Sequence, residues 1–168
     1  LEVDWVGEVT MFKFIHAADL HLDSKLRNLE AYDGAPTKLL KTATRQAFAA
    51  LVQTAITEDV AFVLLAGDLY DHECESFNTP LFFRKQMEEL ARHEIKVFLV
   101  QGNHDSAEQS MARAYALDLP ENVHLFDVRK ATSVLIEELQ VVIHGQGYAT
   151  RKLLDNLAKL PLRMSLLN

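Results

Sequence analysis

The 168-residue chain has one cysteine, one tryptophan and no apolar run long enough to cross a membrane. Cys74 alone cannot form an internal disulfide, which is typical of proteins from a reducing cytoplasm. The first ten positions contain no basic residue and therefore lack the charged start of a signal peptide. These absences exclude a disulfide-stapled scaffold, and we expect a soluble cytoplasmic protein with no membrane contact.

Basic residues are also scarce, with 17 Lys and Arg against 24 Asp and Glu and a formal net charge of -7. The field of such a chain repels a polyanion. A nucleic-acid partner would therefore need bound divalent cations or a more basic second subunit. Hydrophobic residues make up 49% and charged residues 24%, which is typical of a folded globular domain.

Short apolar runs alternate with segments of helical periodicity, a pattern that predicts an α/β domain. Strands are predicted at residues 12–17, 61–66, 96–100, 123–126, 133–136 and 140–144. Helices are predicted at residues 38–56, from Thr79 with Pro80 in its first turn, from a capping box at residues 106–109, and at residues 150–160.

Apolar residues spaced three and four apart predict the buried face of the two longer helices. For the first helix these residues are Leu40, Ala43, Ala47, Leu51 and Ala55. For the second helix they are Leu81, Met87, Leu90 and Ala91.

Polar residues directly follow three predicted strands. Asp19 and His21 follow the first, where an extended backbone would project residues two apart to the same side. Asp68 follows the second strand, and Asn103 and His104 follow the third. Each motif alone could be a structural turn, but the carboxyl ends of strands in an open α/β sheet form a common ligand edge. The coincidence predicts a metal site.

Two further carboxylates have open roles. Asp71 could be a loop hydrogen-bonder or a residue of the site. Asp105 could orient the imidazole of His104 or cap the helix predicted from residue 106.

The motifs D-x-H at 19–21, G-D-x-x-D at 67–71 and G-N-H-D at 102–105 resemble those of the calcineurin-like metallophosphoesterase superfamily. Residues 16–24 and 145–148 resemble the SbcD and YhaO-type DNA-repair exonucleases within it. The resemblance implies an α/β fold in which a layered β-sandwich is flanked by helices. Residues 11–168 would be the N-terminal part of one such domain, truncated on its C-terminal side, and residues 1–10 a non-native extension.

The resemblance also implies a role for each motif residue. Asp19 and His21 would bind the first of two divalent metals, Asp68 would bridge both, and Asn103 would bind the second. Manganese is the expected metal, with iron or magnesium as alternatives. A metal-activated hydroxide would attack phosphorus in line, and His104 would protonate the leaving oxygen.

The later Gly-His and Gly-His-x-His motifs of the family have no recognisable counterpart in these 168 residues. His144 is the nearest candidate, and we interpret it as a strand-end histidine. Four ligands are too few to bind two cations tightly, so we expect the missing histidines to follow Asn168 and this piece alone to be inactive.

Three functions remain open. The first is a manganese-dependent nuclease subunit of a double-strand-break repair complex, with DNA as substrate, an SbcC/Rad50-like ATPase partner and a homodimer as a further expectation. The second is a phosphodiesterase or phosphatase for other substrates. The third is a scaffold module that keeps the fold but lacks a complete site.

Overall fold

The structure, a computed structural model, describes residues 11–24, 37–71, 78–106 and 119–152. Its elements are β1 (Phe14–Ala17), α1 (Thr37–Thr57), β2 (Phe62–Ala66), α2 (Asn78–Arg92), β3 (Lys96–Val100), β4 (Val123–Leu125), β5 (Thr132–Ile136), a 3-10 turn (Glu137–Leu139) and β6 (Val141–Gly145). No helix in these ranges is long and apolar enough to cross a membrane.

The six predicted strands and the two longer predicted helices are confirmed, with their bounds shifted by at most two residues. The start predicted for the last helix is wrong, because residues 149–151 form bends and Lys152 is not helical. The Thr150 hydroxyl donates to the Lys152 carbonyl at 3.0 Å, a local bond that competes with a helical turn. The rest of that helix, and the helix predicted after Ser106, lie outside the described residues.

The strands form two sheets. β1, β2, β3 and β4 are parallel neighbours in that order, and β5 pairs with β6 in an antiparallel hairpin. Parallel neighbours need a crossover, which α1 provides between β1 and β2 and α2 between β2 and β3. This topology confirms the predicted α/β class.

The two faces of the parallel sheet have different coverings because side chains alternate along a strand. Val63 and Leu65 of β2 belong to one buried cluster with residues of α1 and α2. Phe62 of β2 and Phe98 of β3 belong to a second cluster, which Ile136 at the end of β5 completes. Helices therefore cover one face and the β5–β6 hairpin covers the other.

The predicted buried face of α1 is only partly confirmed. Ala55 is buried as predicted, but Ala43 and Ala47 are exposed, and Phe48 and Val52 are buried instead. Both stripes have helical spacing, and the fold buries the one with the larger side chains because it removes more apolar area from water. Leu51 is partly buried, and the side chain of Leu40 lies outside the described residues.

The prediction for α2 is partly confirmed. Met87 and Leu90 are fully buried, and Ala91 is partly buried. Leu81 was placed on the wrong face, because it is 46% exposed and Phe83 is buried instead. Phe83 lies four and seven residues before Met87 and Leu90, which is the spacing of one helix face.

The two leucines of α2 allow a matched test of this core. Leu90→Ala should lower the free energy of unfolding by about 2–5 kcal/mol, because it opens a cavity between the helix and the sheet. Leu81→Ala should change it by less than about 1 kcal/mol, because that side chain is already half exposed. Urea unfolding followed by circular dichroism measures both, and equal losses would contradict the assigned face.

Candidate metal centre

The loops after β1 and β2 run side by side and continue the parallel pairing of these strands. Three backbone hydrogen bonds join them: Asp19 N–H to the Gly67 carbonyl (3.2 Å), His21 N–H to the Asp68 carbonyl (3.0 Å) and Leu22 N–H to the Leu69 carbonyl (2.9 Å). The first two motifs are therefore held in register by main-chain contacts, whatever their side chains do.

The expected extended backbone at the first motif is not found. Asp19 has φ 54°, His21 φ 44° and Asp68 φ 52°, so all three have the left-handed conformation that residues other than glycine rarely adopt. Such conformations persist where surrounding contacts impose them, and the paired loops supply those contacts here. The residues converge for a different reason from the one predicted.

One potential ligand atom from each of Asp19, His21 and Asp68 lies within 4.8 Å of the others. Asp68 is buried at 9% exposure, His21 is partly buried and Asp19 is exposed. Two carboxylates and an imidazole form a donor set that suits manganese or iron. These residues therefore fit the divalent cation that the motifs predicted.

The loop after β3 lies against this group because two glycines allow close approach. A Cβ on Gly67, which has φ +83°, would lie 2.9 Å from the Gly102 Cα, and a Cβ on Gly102 would lie 2.2 Å from Asp68 Oδ1. The same Oδ1 accepts a hydrogen bond from the His104 backbone N–H at 2.9 Å. Asn103 lies between these two contacts and is partly buried. Its role as a metal ligand stays a prediction.

Asp105 joins the second and third loops. Its fully buried carboxylate accepts hydrogen bonds from three backbone N–H groups: Leu69 (2.7 Å), Tyr70 (3.4 Å) and Gly102 (2.6 Å). The sequence suggested an imidazole partner or a helix cap and missed this role, because nothing local marks a carboxylate that bonds amides 35 residues away.

Asp71 lies beside two residues of the candidate site. Its Oδ1 lies 2.9 Å from His21 Nδ1 and 3.0 Å from His104 Nδ1, and the two imidazole rings are perpendicular with centroids 5.0 Å apart. The Ser24 hydroxyl donates to its Oδ2. Burial raises the pKa of Asp71, but the hydrogen bonds from Ser24 and His21 and the nearby imidazole charges outweigh it and hold the pKa below its usual value. The carboxylate therefore stays ionised beside both histidines.

Other motif residues lie around this centre. Tyr148 N–H donates to the Gln101 carbonyl at 2.9 Å, so the segment 145–148 lies against the loop that carries His104. His144 is near the end of β6, as predicted, and its Nδ1 is 2.6 Å from the Ser133 hydroxyl. Cys74 lies outside the described residues.

Comparison with known proteins identifies the family of this chain. The model of the family described as calcineurin-like phosphoesterase matches residues 12–164. The chain belongs to the calcineurin-like phosphoesterase family. This confirms the family inferred from the three motifs, and with it the layered α/β fold.

Three curated relatives are similar over much of the chain. Uncharacterized metallophosphoesterase YhaO of Bacillus subtilis is 35% identical over 153 residues, covering 89% of this chain and 37% of YhaO. DNA double-strand break repair protein Mre11 is 24% identical over 145 residues in Sulfolobus acidocaldarius (86% and 36% covered) and 30% identical over 109 residues in Archaeoglobus fulgidus (63% and 22% covered). The chain spans little more than a third of these relatives at most.

The relatives belong to the subgroup that the sequence resembles, which confirms the resemblance at that level. Calcineurin-like phosphoesterases bind divalent metals, and this chain contains His and Asp groups suited to them. The family assignment and the geometry of the site therefore agree.

The Asp105 contacts lead to a stability prediction. Asp105→Asn should lower the free energy of unfolding by about 1–3 kcal/mol, because the new NH2 group would face a backbone N–H and leave it unsatisfied. Asp59→Asn is the matched control, since Asp59 is exposed and Asn tolerates its φ of 51°. Chemical denaturation of both variants measures the difference. Equal stability of the two would contradict the role of Asp105.

Proposed function

We propose that this protein hydrolyses phosphodiester bonds in DNA as the nuclease subunit of a double-strand-break repair complex. The observation that carries the proposal is the convergence of Asp19, His21 and Asp68 on one point beside His104. The similarity to two proteins named Mre11 supports DNA as the substrate. This proposal concerns the whole protein, because the chain is similar to only a part of each of these relatives.

The proposed cofactor is a pair of divalent cations, with manganese as the first choice. Asp19 and His21 would hold one, Asp68 would be shared, and Asn103 would hold the other. Cations at these residues would supply Lewis-acid activation of water and neutralise charge on the phosphoryl oxygens. The position of Asp68 supports the sharing, because it contacts the loops of both neighbouring motifs.

His104 is the proposed proton donor. Its Nδ1 lies 3.0 Å from an Asp71 carboxylate oxygen, which can only accept a hydrogen bond. The Nδ1 therefore carries a proton in this contact, and Nε2 is the nitrogen that would deliver a proton to the leaving oxygen of the substrate. The side chain is 32% exposed, so solvent can return the proton after the reaction.

Three exposed cations support a polyanionic substrate despite the acidic whole chain. Within the described residues, Lys130, Arg151 and Lys152 form no ion pair, and neither does Lys85 on α2, whereas Lys13, Arg45, Arg84, Arg92, Lys96 and Arg129 each pair with a carboxylate. Cations without a carboxylate partner can bind phosphate at no cost in broken ion pairs.

Lys130, Arg151 and Lys152 lie on two segments that start near the candidate ligands, at the same edge of the sheet. Phe126, just after β4, donates its N–H to the Leu99 carbonyl, and Gly147 donates to the Asp127 carbonyl. Residues 127–130 and 147–152 therefore both start at the carboxyl ends of the parallel strands. A DNA backbone that enters the site would pass this side of the protein.

The proposed partner is an SbcC/Rad50-like ATPase, and we propose a homodimer of this subunit in the cytoplasm. A more basic partner would offset the net charge of -7, which otherwise opposes DNA binding. The names of the Mre11 relatives support a role in double-strand-break repair.

A second candidate is hydrolysis of phosphodiesters other than DNA. The specific observation in its favour is that YhaO is the most similar of the three relatives at 35% identity, and its name gives no substrate. The candidate ligands and His104 would serve this reaction equally well.

The experiment is manganese-dependent hydrolysis of a linear DNA duplex by the full open reading frame that contains these residues. Asp68→Asn should lower the rate at least a hundredfold, because an amide replaces the carboxylate proposed to be shared by two cations. Asp59→Asn is the matched control, since Asp59 is exposed and follows the end of α1, outside the candidate ligand set, and it should cleave at the wild-type rate.

The outcomes separate the candidates. Cleavage of bis-p-nitrophenyl phosphate without cleavage of DNA would favour the second function. Hydrolysis of neither substrate by the wild type would contradict both and favour a scaffold module.

Reversing the charge of Lys130 tests whether this residue contacts DNA. In the Asp68→Asn background, in which we expect cleavage to be much slower, Lys130→Glu should weaken duplex binding and lower the slope of log Kd against log salt by about one. Lys85→Glu is the matched control, because Lys85 is an exposed α2 lysine with no ion pair in the described part of the chain. Fluorescence anisotropy at several salt concentrations measures both, and equal slopes would exclude a phosphate contact at Lys130.

A further inference from the structure

The carboxylate of Asp71 is held from both sides. Its Oδ1 contacts Nδ1 of His21 at 2.9 Å and Nδ1 of His104 at 3.0 Å, and its Oδ2 accepts a hydrogen bond from the Ser24 hydroxyl. Contacts to both oxygens oppose rotation of the carboxylate about its Cβ–Cγ bond. One orientation therefore serves a candidate metal ligand and the candidate proton donor together.

Ser24 is itself held in place through the residue before it. The Asp23 backbone N–H donates to the Thr44 hydroxyl at 3.2 Å, and its carboxylate accepts hydrogen bonds from Arg45, with Nε–Oδ1 at 2.7 Å, and from Thr79. The Arg45 guanidinium also lies over the Phe82 ring, 5.1 Å from its centre. The short segment 23–24 is thus tied to both helices.

These two sets of contacts form a continuous connection. Helices α1 and α2 fix Asp23, the chain carries that position to Ser24, and the Ser24 hydroxyl fixes Oδ2 of Asp71. Asp71 then sets the ring orientation and the protonated nitrogen of His21 and His104, as carboxylates do for metal-bound and catalytic histidines elsewhere.

We propose that Ser24 is a positioning residue for the proton transfer, acting through Asp71 on His104. The inference rests on the proposed phosphoesterase function, for DNA or for other phosphodiesters. Ser24 acts at a distance from the reacting atoms and does not touch the substrate. Without its hydroxyl, Asp71 would turn toward solvent and lose its simultaneous contact with the two Nδ1 atoms.

The alternative is that Ser24 only stabilises the loop. Substrates that differ in their leaving group distinguish this structural role from the positioning role. A strongly basic leaving oxygen needs a proton in the transition state, whereas p-nitrophenolate leaves without one. Loss of positioning should therefore slow a phenyl ester more than a p-nitrophenyl ester of the same nucleotide. A loop that is merely less stable would slow both alike.

The test compares Ser24→Ala with wild type, in the full open reading frame with Mn²⁺, on the phenyl and p-nitrophenyl phosphodiesters of thymidine 5′-phosphate. We expect kcat for the phenyl ester to fall roughly tenfold, with KM unchanged, and kcat for the p-nitrophenyl ester to change by less than about twofold. Ser24→Thr, which keeps the hydroxyl, should restore the phenyl-ester rate.

Ser133→Ala is the matched control. It also removes a serine hydroxyl that contacts a histidine Nδ1, that of His144 at 2.6 Å, but on the β5–β6 hairpin. It should leave both esters unaffected. An equal loss on the two esters in Ser24→Ala, or no loss on either, would overturn the proposal.

A second readout does not depend on catalysis. In metal-free protein with ¹⁵N-labelled histidine, NMR should show His21 and His104 protonated at Nδ1, and Ser24→Ala should shift both toward a mixture of tautomers. If the wild type hydrolyses neither ester, the proposed function fails, but these spectra still decide the Ser24 contact. Unchanged spectra in Ser24→Ala would overturn it.

Discussion

The candidate site depends on the close contact between two backbones, those of the loops after β2 and β3. Gly67 and Gly102 meet where neither has room for a Cβ, and the buried carboxylate of Asp105 bonds amides from both loops. Hydrogen bonds from the first loop then attach it to the second. These contacts together set the positions of the loops that carry the candidate ligands.

The arrangement gathers negative charge at one edge of the sheet. Asp19, Asp68 and Asp71 lie within two overlapping groups of potential ligands, and both groups share His21. Like charges at this distance repel one another, and a bound cation would relieve that repulsion. Any ligand that binds only the folded state also stabilises it, so metal binding and folding would be coupled.

Much of the fold could be predicted from the sequence because β2 and β3 are largely apolar runs followed within two residues by glycine. The polar residues after those runs had to meet, since parallel strands share one carboxyl edge. The buried helix faces could not be chosen reliably, because Ala47 and Phe48 both belong to stripes with helical spacing. Side-chain volume decided between them.

The features of the candidate site that the sequence did not predict have a different cause. The left-handed backbone of Asp19 and His21 and the amide contacts of Asp105 are imposed by residues 35 to 50 positions away. The pairing of Asp71 with His104 spans 33 positions. A local pattern carries no information about such partners, so the sequence showed which residues converge but not how they are held.

The glycine contact has a consequence for transplanting this chemistry. Copying only the ligands onto another parallel sheet would leave the loops too far apart, because an ordinary side chain at either glycine would separate the backbones. A working graft would have to include both glycines and the buried aspartate. The smallest unit that could be transferred is therefore the pair of contacting loops together with the candidate ligands that they carry.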